Sequence, residues 1–282
     1  MDPLSAAPVL ATVPFPAIDP VAIQIGPLAV RWYALAYIAG LLLGWLWLRR
    51  LGRRPPAVLT HDQADDFLVW ASLGVVLGGR LGYVLFYNLS YFLGRPSEIL
   101  MVWQGGMSFH GGFLGVIIAL LIFCRRKGIH PLAMGDLLAC IAPIGLFFGR
   151  IANFINGELY GRPAPDLPWA MVFPTADGQP RHPSQLYEAA LEGLLLLVVT
   201  AVLFRVAAVR ARRGTLIGVF MIGYGVSRFL VEFAREPDAH LGYLFGVITM
   251  GQVLSLPMIL AGLGFLAWAW SRPPAWTPDR AA

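Results

Sequence analysis

Apolar residues run through this chain in stretches of about twenty, the length that crosses a hydrocarbon core of about 30 Å as a helix. Short polar segments punctuate them. Windows of about 19 residues place predicted spans at Leu28 to Leu48, Asp66 to Tyr87, Phe109 to Cys124, Leu132 to Ile155, Gln185 to Arg205, Thr215 to Phe233 and Phe245 to Trp270. The expectation is an all-α polytopic membrane protein with seven transmembrane helices. A Pro-rich N-terminal segment (1–27) precedes the seven-helix transmembrane domain (28–271), and a short tail (272–282) follows it.

The polar punctuation has a sign. Arg49, Arg50, Arg53 and Arg54 follow the first span, Arg125, Arg126 and Lys127 the third, Arg205, Arg210, Arg212 and Arg213 the fifth, and Arg272 and Arg280 the last. The positive-inside rule therefore places these segments and the C-terminal tail in the cytoplasm and the N-terminus outside. It does not account for Arg31, Arg80, Arg95, Arg150, Arg162, Arg181, Arg228 and Arg235, which lie inside spans or in the opposite loops. Ionisable groups within a membrane are expensive and mark functional sites by default.

With that orientation, Arg228 stands fourteen residues into the sixth span, about 21 Å from the inner face at 1.5 Å per residue. Arg150 and Asn153 fall near the outer end of the fourth span, and Tyr33, His110 and Gln185 begin the first, third and fifth from outside. These positions predict a site in the outer half of the bilayer.

Composition narrows the class. The chain is 57% hydrophobic and 13% charged, and its net charge of +5 follows from topology rather than from a basic face for nucleic acid. The first twenty residues hold five prolines and no Lys or Arg, so they lack the basic start of a cleaved signal peptide, and the first span directs insertion. Cys124 and Cys140 have no CxxC spacing and read as buried packing thiols. No P-loop, HExxH motif or Cys/His cluster is present, so no metal, nucleotide or other cofactor is expected.

Three stretches carry the candidate chemistry. In the sixth span Tyr224, Arg228, Glu232 and Arg235 recur at four, four and three, aligned on one helical face. One reading is an internal Arg228 to Glu232 pair that neutralises buried charge. The other starts from two arginines against one carboxylate, a positive surplus that a phosphate would satisfy through the guanidinium fork. In GRIANFINGELYGR, Arg150, Asn153 and Gly157 follow at three and four, and Gly157 and Gly161 favour a helix break before Glu158 and Arg162. In RHPSQLYEA, Ser184 is a candidate N-cap, while Gln185, Glu188 and Glu192 lie along one face.

His110 opens the third span beside Gly111 and Gly112. It is either an interfacial histidine or a proton acceptor whose neighbouring glycines leave room for a substrate. Ser108 lacks a GxSxG elbow, and Asp65 with Asp66 reads as the cap of the second span.

Together, GRIANFINGELYGR, RHPSQLYEA, HGGFLG and YGVSRFLVEFAR resemble the bacterial prolipoprotein diacylglyceryl transferases, from about Arg31 to Gly246, with Ala152 where that family commonly has Gly. The resemblance implies an inner-membrane enzyme that moves the diacylglyceryl group of phosphatidylglycerol onto the lipobox cysteine of a preprolipoprotein signal peptide, giving a thioether and glycerol phosphate. Membrane lipids would surround it, and both substrates could arrive laterally. It implies Arg150 and Arg228 on the phosphate, and His110 as base, unless arginines that lower the thiol pKa do part of that work. Tyr33, Asn153, Glu158, Gly161, Glu232 and Arg235 match positions that bind or shape the lipid site, with Glu158 and Glu232 orienting the arginines. The rival readings are a small-anion membrane transporter, which predicts a midplane site and internal repeats, an intramembrane protease, which predicts Ser/His or paired Asp at depth, and a lipid-binding scaffold without turnover.

Overall fold

A computed structural model describes residues 13–16, 18–237, 242–244 and 247–277. Six helices in it are long and apolar enough to cross a membrane: α1 (Trp32–Gly52), α2 (His61–Tyr87), α3 (Phe109–Lys127), α4 (Pro131–Ile155), α5 (Ser184–Arg205) and, last in the chain, Met250–Trp270. Between the last two lies Thr215–Val231, apolar but 17 residues long. These two are α6 and α7 in chain order.

The predicted interiors are found; several ends move, each for a local reason. Leu28–Arg31 is not helical but pairs as strand β2 with β1 (Val21–Ile25) across a turn in which Gly26 takes φ +57°. Helix α2 begins at His61 rather than Asp66, because Thr60 caps it. The Thr60 hydroxyl accepts from Gln63 N while the Gln63 side chain accepts from Thr60 N, which satisfies two end donors reciprocally. Asp65 and Asp66 are therefore not caps: Asp65 accepts the Trp45 indole N–H at 2.7 Å and lies 3.5 Å from Arg49, and Asp66 pairs with Lys127 at 2.6 Å. Helix α7 starts at Met250, capped by Thr249 in the same manner, while Phe245 and Gly246 lie outside the described residues, as does Arg280.

The chain divides into two compact units. One spans residues 45–138 and is organised by α2 against α3. Gly74, Gly78 and Gly82 recur every fourth residue and meet Gly111 and Gly115: a Cβ on Gly82 would stand 2.7 Å from the Gly111 Cα, and one on Gly78 2.7 Å from the Gly115 Cα. Without water to drive burial, membrane helices associate by such close backbone packing. The missing side chain of Gly111 thus lets α2 approach, so this glycine serves helix packing rather than making space for a substrate. Ser108 serves as the N-cap of α3, its hydroxyl accepting from Gly111 N at 3.2 Å.

Arg80 illustrates a buried charge with a structural task. It is 5% exposed, and its guanidinium donates to the carbonyls of Glu98, Ile99, Gly105 and Gly106 over 2.6 to 3.3 Å. Its face lies 4.9 Å from the Phe92 ring. One arginine thereby ties down the segment between α2 and α3.

The other unit comprises residues 1–44 and 139–282. Helices α6 and α7 pack through Gly218 and Gly262, where a Cβ on either would stand 2.8 or 2.9 Å from the other's carbonyl oxygen. Gly40 of α1 meets Gly145 of α4, and Gly193 of α5 meets Phe147 of α4. Around Gly193, residues Ala189–Leu195 take π-helical geometry, a local widening frequent at functional sites. Cys124 and Cys140 form no disulfide and are fully buried, as expected.

Candidate functional site

Helix α4 ends at Ile155 because Gly157 adopts φ +64°, followed by Leu159 at φ +56°, a left-handed conformation that non-glycine residues seldom take. The chain then turns back instead of carrying Glu158 and Arg162 along the helix. Glu158 receives the Asn153 amide at 2.8 Å and the Asn156 amide at 3.4 Å. It meets amides, not the arginines it was expected to orient.

This turn is clasped by the start of α5 and the end of α6. Gln185 donates to the Glu158 carbonyl at 2.6 Å and Ser184 to the Leu159 carbonyl at 3.1 Å. Ser184 is therefore not an N-cap; Pro183 occupies that position without a side-chain cap. Gly161 pairs its N–H with the His182 carbonyl at 2.8 Å and lies in an antiparallel bridge with Arg235. A Cβ there would collide with the Ala234 carbonyl and stand 2.6 Å from the His182 Cβ, which is why this position takes glycine. Arg162 closes the clasp by donating to the carbonyls of Glu232 and Arg235, each at 2.8 Å.

Outside the spans, a short hairpin of β3 (Met171–Val172) and β4 (Pro180–Arg181) is pinned by Arg181, which pairs with Asp177 and Glu236 at 2.9 Å. The Arg181 hydrogen bond, aided by the Gln179 N–H, holds the Asp177 carboxyl down at about 2. Burial, with Arg162 nearby, pushes His182 below the ordinary imidazole value.

Above this clasp the side chains of α4, α5 and α6 converge. Glu188 lies 3.3 Å from Arg150, 2.5 Å from Arg228 and 4.0 Å from Arg235. Glu192, one turn on, lies 3.4 Å from Arg150 and 3.9 Å from Arg228. Glu232 pairs with Arg228 at 2.6 Å and with Arg235 at 3.4 Å. Its other oxygen accepts the Thr249 hydroxyl at 2.6 Å, so the residue that caps α7 also fixes this carboxylate. Tyr224 lies within electrostatic reach of Arg150, Arg228, Glu188 and Glu192, and its ring stacks on Phe220.

The cluster corrects the expected charge count. Three guanidinium groups meet three carboxylates, so the positive surplus inferred from α6 alone is absent. Glu188 and Glu192 supply the difference; their side chains have no exposed surface, while those of Arg150, Arg228 and Arg235 keep 17%, 14% and 10%. The arginines are thus the accessible part, backed by carboxylates. The sequence placed Glu188 and Glu192 on one helical face but assigned them no role in the site, and Thr249 was not picked out at all. Two carboxylates four apart entering an apolar span was the available signal; Thr249 gave none, because its role depends on where α7 meets α6.

Tyr33 is placed on α1 with its hydroxyl 3.4 Å from that of Tyr37, which in turn lies within electrostatic reach of Arg150 and Glu158. His110 belongs to the other unit, exposed in the first turn of α3 with its ring edge-on to Phe109. Among the described residues no group of three or more His, Cys, Asp or Glu is placed to hold a metal ion.

A family model described as prolipoprotein diacylglyceryl transferase matches residues 20–268. A protein of Paramagnetospirillum magneticum is 61% identical over 92% of this chain and 96% of its own length. One of Azospirillum brasilense is 60% identical over 93% and 98%, and one of Rhodospirillum rubrum 61% identical over 90% and 93%. All three carry the name phosphatidylglycerol–prolipoprotein diacylglyceryl transferase.

Proposed function

Because this chain belongs to the prolipoprotein diacylglyceryl transferase family, we propose that it transfers the diacylglyceryl group of phosphatidylglycerol to the lipobox cysteine of preprolipoproteins, the first step of lipoprotein maturation. The observation that carries this reading is the cluster of Arg150, Arg228 and Arg235 over buried Glu188, Glu192 and Glu232. The names of the relatives do not favour a small-anion transporter.

In the reaction, the cysteine sulfur forms a bond to the glyceryl carbon as the carbon–oxygen bond to phosphate breaks. The electron pair leaves with glycerol phosphate, and the thiol proton passes to a base. Thiolate is the nucleophile, and an ordinary thiol has a pKa near 8.5, so removal of the proton is part of the work. His110 is the proposed base.

Arg150 and Arg228 receive the phosphate. The Arg150 contacts, at 3.3 and 3.4 Å, are longer than the 2.7–2.9 Å of a strong charge-assisted bond. Its donors are therefore incompletely used and can reach a substrate oxygen. Arg228 is held tightly from behind by Glu188 and Glu232 at 2.5 and 2.6 Å, which fixes its remaining donors in space. Preorganised cations of this kind stabilise the charge that grows on the leaving phosphate without reorganising during the reaction. Asn153, Glu158, Gly161, Ser184 and Gln185 hold the backbone turn, and Tyr33, Tyr224, Glu232 and Arg235 complete the lipid site.

The proposed topology is seven spans in an inner membrane, counting the 17-residue α6, with residues 1–27 outside, 28–271 as the catalytic domain and the tail 272–282 in the cytoplasm. The site faces the outer leaflet. Purified protein is incubated with phosphatidylglycerol and a lipobox peptide, following peptide mass and glycerol phosphate, with Arg150→Ala and Arg228→Ala alongside. A diacylglyceryl mass gain on the cysteine that both substitutions abolish supports the reading; absence of any gain with folded wild-type protein rejects it.

A further inference from the structure

The three-to-three charge balance bears on how an anionic lipid can bind at all. A phosphodiester brings one negative charge into a cluster that is already neutral. The carboxylates cannot turn away to water: Glu188 and Glu192 have no exposed side-chain surface. They also stand on one helix face four residues apart, within the π-helical turn and just before it. Oε2 of Glu188 faces Arg150 at 3.3 Å and Oε1 of Glu192 faces Arg228 at 3.9 Å without accepting a hydrogen bond, so each can carry a proton once its guanidinium is drawn to the lipid.

Among the described residues, the charged and titratable groups paired with the two carboxylates or within electrostatic reach of them are Arg150 from α4, Tyr224 and Arg228 from α6 and Arg235 beyond its end; Glu232 joins them through Arg228 and Arg235, and Arg162 holds the backbone of that end. From α1, Tyr37 reaches Arg150 rather than the carboxylates. None of the three arginines can supply a compensating charge, since all are already cationic. The remaining way to restore neutrality is to protonate a carboxylate whose guanidinium partner has been drawn to the lipid.

Building on the proposed function, we infer that Glu188 and Glu192 are exchangeable counter-ions that position Arg150 and Arg228 in the empty site, and that the pair takes up one proton from water when an anionic phospholipid phosphate engages those arginines. In this scheme they are positioning residues. The scheme makes lipid affinity depend on pH with a definite sign: because the bound state holds the extra proton, affinity falls as pH rises through the pKa of the bound pair.

The test is calorimetry of short-chain phosphatidylglycerol binding to the full-length protein in detergent, in two buffers of different ionisation enthalpy at one pH, with zwitterionic phosphatidylcholine as control. Uptake approaching one proton per phosphatidylglycerol bound, reduced several-fold in Glu188→Gln or Glu192→Gln and returned by the Asp substitutions, is the expected result. A KM for phosphatidylglycerol that rises up to about tenfold per pH unit in wild type and flattens in the Gln variants is the matching kinetic result. Saturable binding with the same heat in both buffers would overturn the inference even if the variants fail to fold, because wild type alone decides it. Gln variants that bind with undiminished proton uptake would also overturn it. Peptide modification by wild type is measured in parallel, so a missing proton with intact transfer counts against the counter-ions and not against the transferase.

Discussion

Replacing Arg228 with Ala removes the partner 2.5 Å from Glu188 and 2.6 Å from Glu232, leaving two guanidinium groups against three carboxylates. Glu188 has no exposed side-chain surface, so water cannot take the place of the lost donor, and Arg150 at 3.3 Å is already shared with Glu192. Breaking a buried pair by removing one partner costs about 3–5 kcal/mol. At about 2–4 °C per kcal/mol for a chain of this size, the thermal midpoint falls by about 6–20 °C. Adding Glu188→Gln to Arg228→Ala restores two against two. The double variant is therefore expected to be more stable than the two single losses combined, by a coupling of about 1–3 kcal/mol. Tryptophan fluorescence during heating in detergent reads all four members of the cycle. Single-variant losses that add to within about 0.5 kcal/mol would refute the argument that charge balance, rather than side-chain packing, holds this cluster together.

Gly161→Ala forces a methyl group against the Ala234 carbonyl and His182; overpacking of this kind costs about 1–3 kcal/mol, and the transfer assay should show activity falling further than the thermal midpoint, because the same clasp positions Glu158 and Arg162. His182 has its folded pKa lowered by burial and by Arg162, so its contribution is present above the unfolded value of about 6.5 and lost as pH falls below it; wild type should lose more thermal stability than His182→Gln between pH 7.5 and 5.5, and equal losses would count against the assignment. Arg80→Ala strips four carbonyls of their donor, and Arg80→Lys cannot restore a forked pattern; both should make the segment between Arg95 and Met107 markedly more sensitive to limited proteolysis than in wild type.

The spans were legible because a membrane imposes one requirement, an apolar run of fixed length, that composition alone displays. Their ends were less so. Asp65 and Asp66 looked like caps because acidic residues favour helix starts, yet Thr60 with Gln63 satisfies the end donors, and the aspartates serve Trp45, Arg49 and Lys127 instead. Leu28–Arg31 read as membrane because it is apolar, whereas a turn at Gly26 folds it onto β1. Gly111, after His110, read as space, although the backbone of α2 packs against it.

At the site the same division holds. The chain's own order determined which elements would carry arginines into apolar surroundings, and the spacing of Tyr224, Arg228, Glu232 and Arg235 determined that they share a face, since both follow from local geometry. The tertiary structure alone decided the charge balance. Arg228 has its helix neighbour Glu232 at 2.6 Å; whether it meets a second carboxylate that cancels the surplus depends on Glu188, 40 residues earlier in the chain, standing 2.5 Å away, and electrostatic energy falls with distance through space rather than with separation along the sequence.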